Sequence, residues 1–362
     1  MRVLVVNAGS SSLKLRVLDG QDRVVARRDL AADAGRVDED ELEAAVRAVG
    51  DVDAVGHRVV HGGERTAAAV VDDALVAELT ALADLAPLHQ LPGLAAMART
   101  GALLPDVPAV ACFDTAFHAT LPAAAATYAL PAEWRHRWGL RRYGFHGLSH
   151  AWASRRAAEL TGRPPTDIRV VTCHLGAGAS LAAVIGGRSV DTTMGFTPLE
   201  GLVMATRSGS VDPGLVLWLQ QRAGLTVEEL ADGLQHGAGL RGLAASPDMR
   251  EVVERAGRGD GDARLALDVY AHRARAAVGA MAAALGGLDA LVFTGGVGEA
   301  EPAVRATVVT GLGFLGVALD PGRNRAAVPD AEITAGAAVP AYVVAAREDL
   351  QIAAEVRALL GG

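Results

Sequence analysis

The stretch RVLVVNAGSSSLKLRVL, residues 2–18, decides the reading of the fold. It opens with a short β-branched run, passes through Asn7, Ala8, Gly9, Ser10, Ser11 and Ser12, and leaves as a segment in which apolar and charged side chains alternate. β-Branched runs and period-two alternation are strand signatures, and small polar residues between them suit a tight turn. The unit therefore reads as strand, polar turn, strand. The same shape returns as IRVVTCHLGAGASLAAVI, residues 168–185, with a turn of His174, Leu175, Gly176, Ala177, Gly178, Ala179 and Ser180. A third apolar run, residues 290–293, ends in Thr294, Gly295, Gly296, Val297, Gly298 and Glu299.

Two such units predict a duplicated α/β architecture with a cleft between the copies. Helical patterns lie between the strands: residues 72–86, stopped by Pro87; residues 149–161, stopped by Gly162; and residues 262–285, stopped by Gly286 and Gly287. This is the alternation expected of mixed sheets flanked by helices. The crossover falls near Thr115, after the strand-like residues 109–113, and the final helix is expected to return to the first copy. The domains are thus residues 1–115 plus 349–362, and residues 116–348.

At 362 residues the chain exceeds what one core comfortably organises, which also favours two domains. Hydrophobic residues make up 51% and aromatics 4%, so the interior is built from Ala, Val and Leu. A net charge of −8 argues against a general nucleic-acid or membrane-surface binder, so any phosphate site must be built locally. Cys112 and Cys173 are too few for a disulfide framework and lack metal spacing, which fits a reducing cytoplasm. The N-terminal apolar run is too short for a signal peptide, and every longer apolar stretch is broken by Gly, Arg or Asp.

A phosphate needs backbone N–H groups that approach closely, which small residues in a turn permit. Residues 7–12, with Lys14 just beyond, supply such a turn, and residues 174–180 supply a second. Either loop alone is equally an ordinary hairpin turn. Gly56, His57, Arg58, Val59, Val60, His61, Gly62 and Gly63 put a cation beside an apolar step, as a small carboxylate with a methyl tail requires. An exposed strand end explains Arg58 by itself as well. Tyr143, Gly144, Phe145, His146 and Gly147 bracket a His with glycines, either for substrate approach or as a helix start. Asp114 follows a strand, where carboxylates of α/β folds meet ligands or cap helices. Arg207 sits in a Gly- and Ser-rich loop. Two arginines from different segments could grip the oxygens of a transferring phosphoryl group, since guanidinium presents a planar fork of donors.

Five of these segments occur together: residues 7–14; residues 56–64; Phe113, Asp114, Thr115, Ala116, Phe117 and His118; residues 143–147; and residues 191–207, which contain Thr197, Pro198, Leu199, Glu200 and Gly201. In kind and order they resemble the motifs of the acetate kinase family across nearly the whole chain. The resemblance implies a two-domain actin-like ATPase fold, in which ribonuclease H-like βββαβαβα copies flank an interdomain cleft. It also implies reversible transfer of the terminal phosphoryl of ATP to acetate, giving ADP and acetyl phosphate. By match of motif, Arg58 and Arg207 stabilise the transferring phosphoryl, His146 donates to it, and Asp114 is the essential carboxylate. Asn7 and Glu348 help hold Mg²⁺, with Mn²⁺ as a substitute, and Lys14 lies near phosphate. Val60, Leu88, Phe145 and Pro198 line the methyl pocket. His174, Leu175, Gly176, Ala177 and Gly178, then Asp248, Met249 and Arg250, then Gly296, Val297, Gly298, Glu299 and Ala300 bind nucleotide. The family also implies a homodimer in the cytoplasm.

Some positions depart from the pattern: Ala177 and Ala300 stand where Asn is usual, Ala205 where Gly is usual, and Asp349 where Glu is usual. The first three cluster on the nucleotide side. Two rival readings follow: a relative using pyrophosphate as donor or propionate or butyrate as acceptor, and a catalytically silent actin-like nucleotide-binding protein. Joint retention of Arg58, Asp114, His146, Arg207 and Glu348 speaks against the silent protein.

Overall fold

A computed structural model describes residues 1–9, 12–32, 37–86 and 90–361. It divides into two compact units: Met1–Thr120 with Phe145–Trp152 and Arg347–Gly362, and Leu121–Gly144 with Ala153–Ala346. Among the described residues no helix is long and apolar enough to cross a membrane.

The first unit holds strands β1 (Val3–Ala8), β2 (Ser12–Leu18), β3 (Val24–Ala31), β4 (Ala54–Val59), β5 (Ala69–Val70) and β6 (Ala109–Phe113), in spatial order β3-β2-β1-β4-β6-β5. The first three form an antiparallel meander, β4 runs parallel to β1 and β6 parallel to β4, and β5 closes the edge antiparallel to β6. In the second unit β7 (Arg169–Leu175), β8 (Ala179–Ile185), β9 (Arg188–Thr192), β10 (Ala290–Thr294), β11 (Ala331–Glu332) and β12 (Ala341–Val343) repeat that order as β9-β8-β7-β10-β12-β11. The directions repeat as well. The duplication expected from the two strand-turn-strand segments is a duplication of whole sheets.

Period two explains how the first sheet is covered. Leu4 and Val6 of β1 join the core beneath the helices Glu39–Arg47 and Gln90–Leu103, while Val3 and Val5 join the core formed with Leu148, Ile352, Ala353 and Val356. The last three belong to the helix Glu348–Leu360, which therefore packs on the first sheet. Gly56 of β4 allows this close packing, because a Cβ there would lie 2.6 Å from Ile352 and 2.8 Å from Val356.

Three local expectations change. The helical pattern at residues 72–86 forms only Asp73–Ala81 and a short 3-10 turn Ala83–Leu85, because Leu82 leaves helical geometry; Pro87 lies outside the described residues. The loop expected at residues 174–180 shrinks, since β7 and β8 extend into it and leave residues 176–178 as the turn, closed by Gly176 N–H to the Gly178 carbonyl at 2.9 Å. The Gly-rich segment after β10 begins with Gly295 at φ +79° and then forms the helix Gly295–Ala300, so tertiary packing overrides weak helix propensity there.

Candidate active site

In the first unit the strand period that orders the core also orders the chemistry. Val3, Val5 and Asn7 share one side of β1; Ala54, Gly56 and Arg58 share one side of β4; Val110, Cys112 and, just past β6, Asp114 continue the same face. That face lies under the helix whose first residue is Glu348. Three adjacent strands thus deliver an amide, a guanidinium and a carboxylate to one edge, where the helix start adds a second carboxylate.

Arg58 donates to Asp114 Oδ2 from Nε at 3.1 Å and from Nη2 at 2.7 Å, and to Asn7 Oδ1 from Nη1 at 3.3 Å. Asn7 Nδ2 donates to Glu348 Oε2 at 2.7 Å, and that oxygen lies 3.8 Å from Arg58 Nη1. The Asp114 carboxylate is fully buried, and among the described residues no donor meets its Oδ1 in good hydrogen-bond geometry, although the Leu148 N–H acts on the same carboxyl. Burial pushes the Asp114 carboxyl up from its ordinary value; the Arg58 charge opposes this, and Glu348 adds to it. Burial also works against the Arg58 charge, but Asp114 and Glu348 outweigh it and hold the guanidinium protonated. Lys14 is exposed on β2, directly opposite Asn7 in the pairing register.

His146 begins the helix Gly147–Thr161 and has φ +57°, a left-handed backbone that costs a non-glycine residue about 1–3 kcal/mol. Its carbonyl accepts from His150 N–H at 2.9 Å, so the helix-start reading holds. The neighbouring glycine serves that helix start. A Cβ on Gly147 would lie 2.0 Å from the Asp114 carbonyl, which accepts the Gly147 N–H at 3.1 Å. Glycine lets the helix start lock onto the strand end that carries Asp114.

Val60 and Phe145 are buried, and His61 packs edge-on against the Phe145 ring with centroids 5.5 Å apart. Val60 lies one residue beyond β4 rather than within the strand. Leu88 lies outside the described residues.

In the second unit β7 and β10 are parallel neighbours, with His174 opposite Thr294, so the two Gly-rich turns leave the same end of the sheet. A Cβ on Gly176 would be 4.0 Å from Gly296 N, and one on Gly295 would be 2.8 Å from the Leu175 carbonyl. The Leu175 side chain is buried. Ala177 and Gly296 are exposed on these turns, with Val297 beside them. Gly298 and Ala300 lie further along the same short helix. Glu299 is a brace: its Oε1 accepts from Gly295 N at 3.1 Å and Ala346 N at 2.9 Å. Asp248 caps the helix Met249–Gly257 and pairs with Arg250 at 2.8 Å, and both act electrostatically on Glu301. Met249 is buried.

The segment carrying Arg207 is tied to the first turn by Ala205 N–H, which donates to the Ala177 carbonyl at 3.0 Å. Arg207 Nη1 donates to the Pro198 carbonyl at 2.7 Å. Among the described residues no carboxylate lies within ion-pair distance of Arg207, and burial pushes its guanidinium down to about 10. A half-buried cation without a counter-charge beside it is a demand for an anion.

The sequence reading missed a cluster in this unit. Tyr128 O–H and Arg142 Nη2 both donate to Glu200, at 2.5 and 2.7 Å. Glu200 stands in a motif already singled out, but Tyr128 and Arg142 lie 72 and 58 residues from it and carried no local signal.

The acetokinase family model matches residues 36–354. The chain belongs to the acetokinase family. An acetate kinase of Leifsonia xyli is 46% identical over 97% of this chain and 97% of its own length. One of Gloeobacter violaceus is 51% identical over 84% of this chain and 76% of its own. Among solved structures, acetate kinase of Porphyromonas gingivalis superposes with a TM-score of 0.89 at 34% identity, covering 99% of each chain. A propionate kinase of Francisella tularensis gives 0.90 at 33%, covering 98% of each. The fold is the actin-like ATPase fold of these acetokinases, and the activity is that of a kinase acting on acetate, with ATP and ADP as the nucleotide pair. The comparisons do not favour a silent nucleotide-binding protein or another donor or acceptor.

Proposed function

We propose that this acetokinase transfers the terminal phosphoryl of ATP directly to an acetate oxygen, the first unit presenting the acceptor and the second the nucleotide. The observation that carries the reading is Arg207: a half-buried guanidinium with no carboxylate partner among the described residues, fastened by Ala205 to a Gly-rich turn. In this proposal Arg207 neutralises the transferring phosphoryl, Arg58 does so from the first unit, and His146 donates a hydrogen bond to it. Phosphoryl transfer asks the protein mainly for position and charge, so no covalent group is needed.

Val60, Phe145, Pro198 and Leu88 are assigned to the acetate methyl. Lys14, residues 174–178 at the end of β7 and its turn, residues 296–300 of the short helix after β10, and Asp248, Met249 and Arg250 are assigned to nucleotide.

Mg²⁺ fits the donors present. Asn7 Oδ1, Glu348 Oε2 and Asp114 Oδ1 are hard oxygens at the same edge of the sheet, and the last is buried without a well-formed hydrogen bond among the described residues. No set of three His, Cys, Asp or Glu side chains among the described residues could hold a metal alone. Mg²⁺ commonly uses one or two carboxylates with substrate phosphates and water. When bound, the ion supplies charge neutralisation and a bridge between phosphate oxygens. Asn7 and Glu348 would hold it, with Asp114 alongside.

A homodimer and a cytoplasmic setting belong to the same proposal. Leu215, Leu217 and Trp218 on the helix Pro213–Gln221 are 47%, 54% and 56% exposed, an apolar surface suited to a second copy. Cys112 and Cys173 are both buried thiols.

The test is acyl phosphate formation trapped as hydroxamate, with ATP, GTP and pyrophosphate crossed against acetate, propionate and butyrate. Highest kcat/KM with ATP and acetate supports the reading; turnover with pyrophosphate alone, or none with any pair, overturns it.

A further inference from the structure

We propose that Glu200, Tyr128 and Arg142 form a positioning cluster that aims the Arg207 guanidinium through the carbonyl of Pro198. The proposal rests on the reading that Arg207 serves the transferring phosphoryl. Among the described residues the Pro198 carbonyl is the one hydrogen-bond partner of the Arg207 side chain, so whatever fixes that carbonyl fixes the fork.

The loop that carries Pro198 is held at both ends by this cluster. Arg142 Nη1 donates to the carbonyls of Thr193 at 3.1 Å and Met194 at 3.0 Å, while its Nη2 donates to Glu200 Oε1 at 2.7 Å. Tyr128 O–H donates to Glu200 Oε2 and its oxygen accepts from Phe196 N at 2.9 Å. The Arg142 guanidinium also lies over the Tyr128 ring, 5.5 Å from its centroid. Gly195 completes the fit: a Cβ there would lie 1.8 Å from Glu200 Oε2 and 2.1 Å from the Tyr128 oxygen. One carboxylate thus closes a ring of contacts from residue 193 to residue 200, and Pro198 is inside it.

The charge on Glu200 matters more than its shape. Each carboxylate oxygen faces a donor, and the Tyr128 oxygen already accepts from Phe196. Glu200→Gln has nearly the same volume but turns an NH₂ group either toward Arg142, setting donor against donor, or toward Tyr128, whose hydroxyl hydrogen must then turn away and lose its acceptor. The loop should then shift without unfolding. A misplacement of about 1 Å at a catalytic group can cost about a hundredfold in rate.

The experiment measures kcat and KM for ATP and acetate in wild type, Glu200→Gln, Tyr128→Phe, Arg207→Lys, Arg207→Ala and the Glu200→Gln/Arg207→Lys pair. Thermal unfolding of each variant confirms the fold. Expected is a fall in kcat of about tenfold to a hundredfold in Glu200→Gln, with the KM for ATP unchanged. Tyr128→Phe should show the same pattern, smaller, and stands as the test if Glu200→Gln does not fold. In the Arg207→Lys background, where no guanidinium remains to be aimed, Glu200→Gln should change kcat less than twofold. Equal losses in both backgrounds would show that Glu200 acts independently of Arg207 and overturn the proposal. So would a rise in the acetate KM alone, which would place the cluster in service of the methyl pocket. If Arg207→Ala keeps normal kcat, the reading of Arg207 itself falls; if it loses turnover while Glu200→Gln and Tyr128→Phe match wild type, only the positioning falls.

Discussion

The amide of Ala205 donates to the carbonyl of Ala177 across 3.0 Å, and this one bond fastens the segment that ends in Arg207 to the turn between β7 and β8. The segment is held along its length: Leu240 N–H reaches Met204, Arg241 N–H reaches Ala205, and Ala238 N–H reaches Thr206. Arg207 is therefore presented by a stiff backbone to the neighbourhood of a Gly-rich turn. Preorganised charge of this kind stabilises a transition state without reorganisation cost.

Arg207→Ala and Arg58→Ala should each lower kcat by about 10² to 10⁴ with little change in the KM for ATP, the range typical of one preorganised donor. Lys at either position should restore only part, since an ammonium lacks the planar fork. Steady-state kinetics decide it, and near-normal kcat in either Ala variant removes that Arg from the chemistry. If both serve one phosphoryl group, the double variant falls short of additive loss.

Turnover should vanish with excess chelator and return with Mg²⁺ or Mn²⁺. Glu348→Ala should raise the Mg²⁺ concentration needed for half-maximal rate, because it removes a carboxylate on the edge that carries Asn7 and Asp114. An unchanged Mg²⁺ titration would take Glu348 out of that role.

Val60→Ala should move the acceptor ratio toward propionate or butyrate by about tenfold or more, since a methylene in a small pocket is worth about 1 to 3 kcal/mol. The ratio of kcat/KM values reads this directly, and a constant ratio means Val60 does not line the site.

Stability should fall as pH drops below neutral. His57 and His118 are buried, and burial pushes both down from 6.5 to about 4, the His118 contact with the Phe145 carbonyl opposing it in part. Their folded values lie below their unfolded ones, so the unfolded chain binds more protons between the two. The stabilisation is complete above about 6.5 and is lost as pH falls toward 4, up to about 3 kcal/mol per ring. Urea midpoints at pH 7.5 and 5 measure it, and His57→Leu should shrink the difference by the share of one ring.

Gly147→Ala should destabilise the protein by about 1 to 3 kcal/mol and depress turnover, because its Cβ would collide with the Asp114 carbonyl and must displace the backbone of either residue. Unchanged thermal stability and kcat would show that the contact can relax.

Much of this was legible in the sequence because strand parity is local. Alternation along residues 2–18 predicts β1 and β2, and reading the same parity along β4 and β6 puts Arg58 and Asp114 on one face. Glu348 is a different matter: its bond to Asn7 spans 341 residues, and no window of sequence contains both. The motif match pointed to Glu348, while only the return of the helix Glu348–Leu360 to the first sheet brings it to Asn7. The edge strand β3 was missed because its residues are mostly exposed and lack clean alternation. Gly147 was legible only as one of two alternatives, since a glycine signals close approach without saying what approaches.

The helix Glu348–Leu360 has a consequence for biosynthesis. The face of the first sheet that bears Val3, Val5, Val110 and Cys112 leaves the ribosome early, but Ile352, Ala353 and Val356, which cover it, emerge only after the second unit has been translated. Throughout that interval an apolar sheet face stays without its cover, a surface suited to a holdase chaperone. Asn7 waits equally long for Glu348, so a nascent chain stalled before the last helix carries Arg58 and Asp114 but lacks the carboxylate that completes their edge.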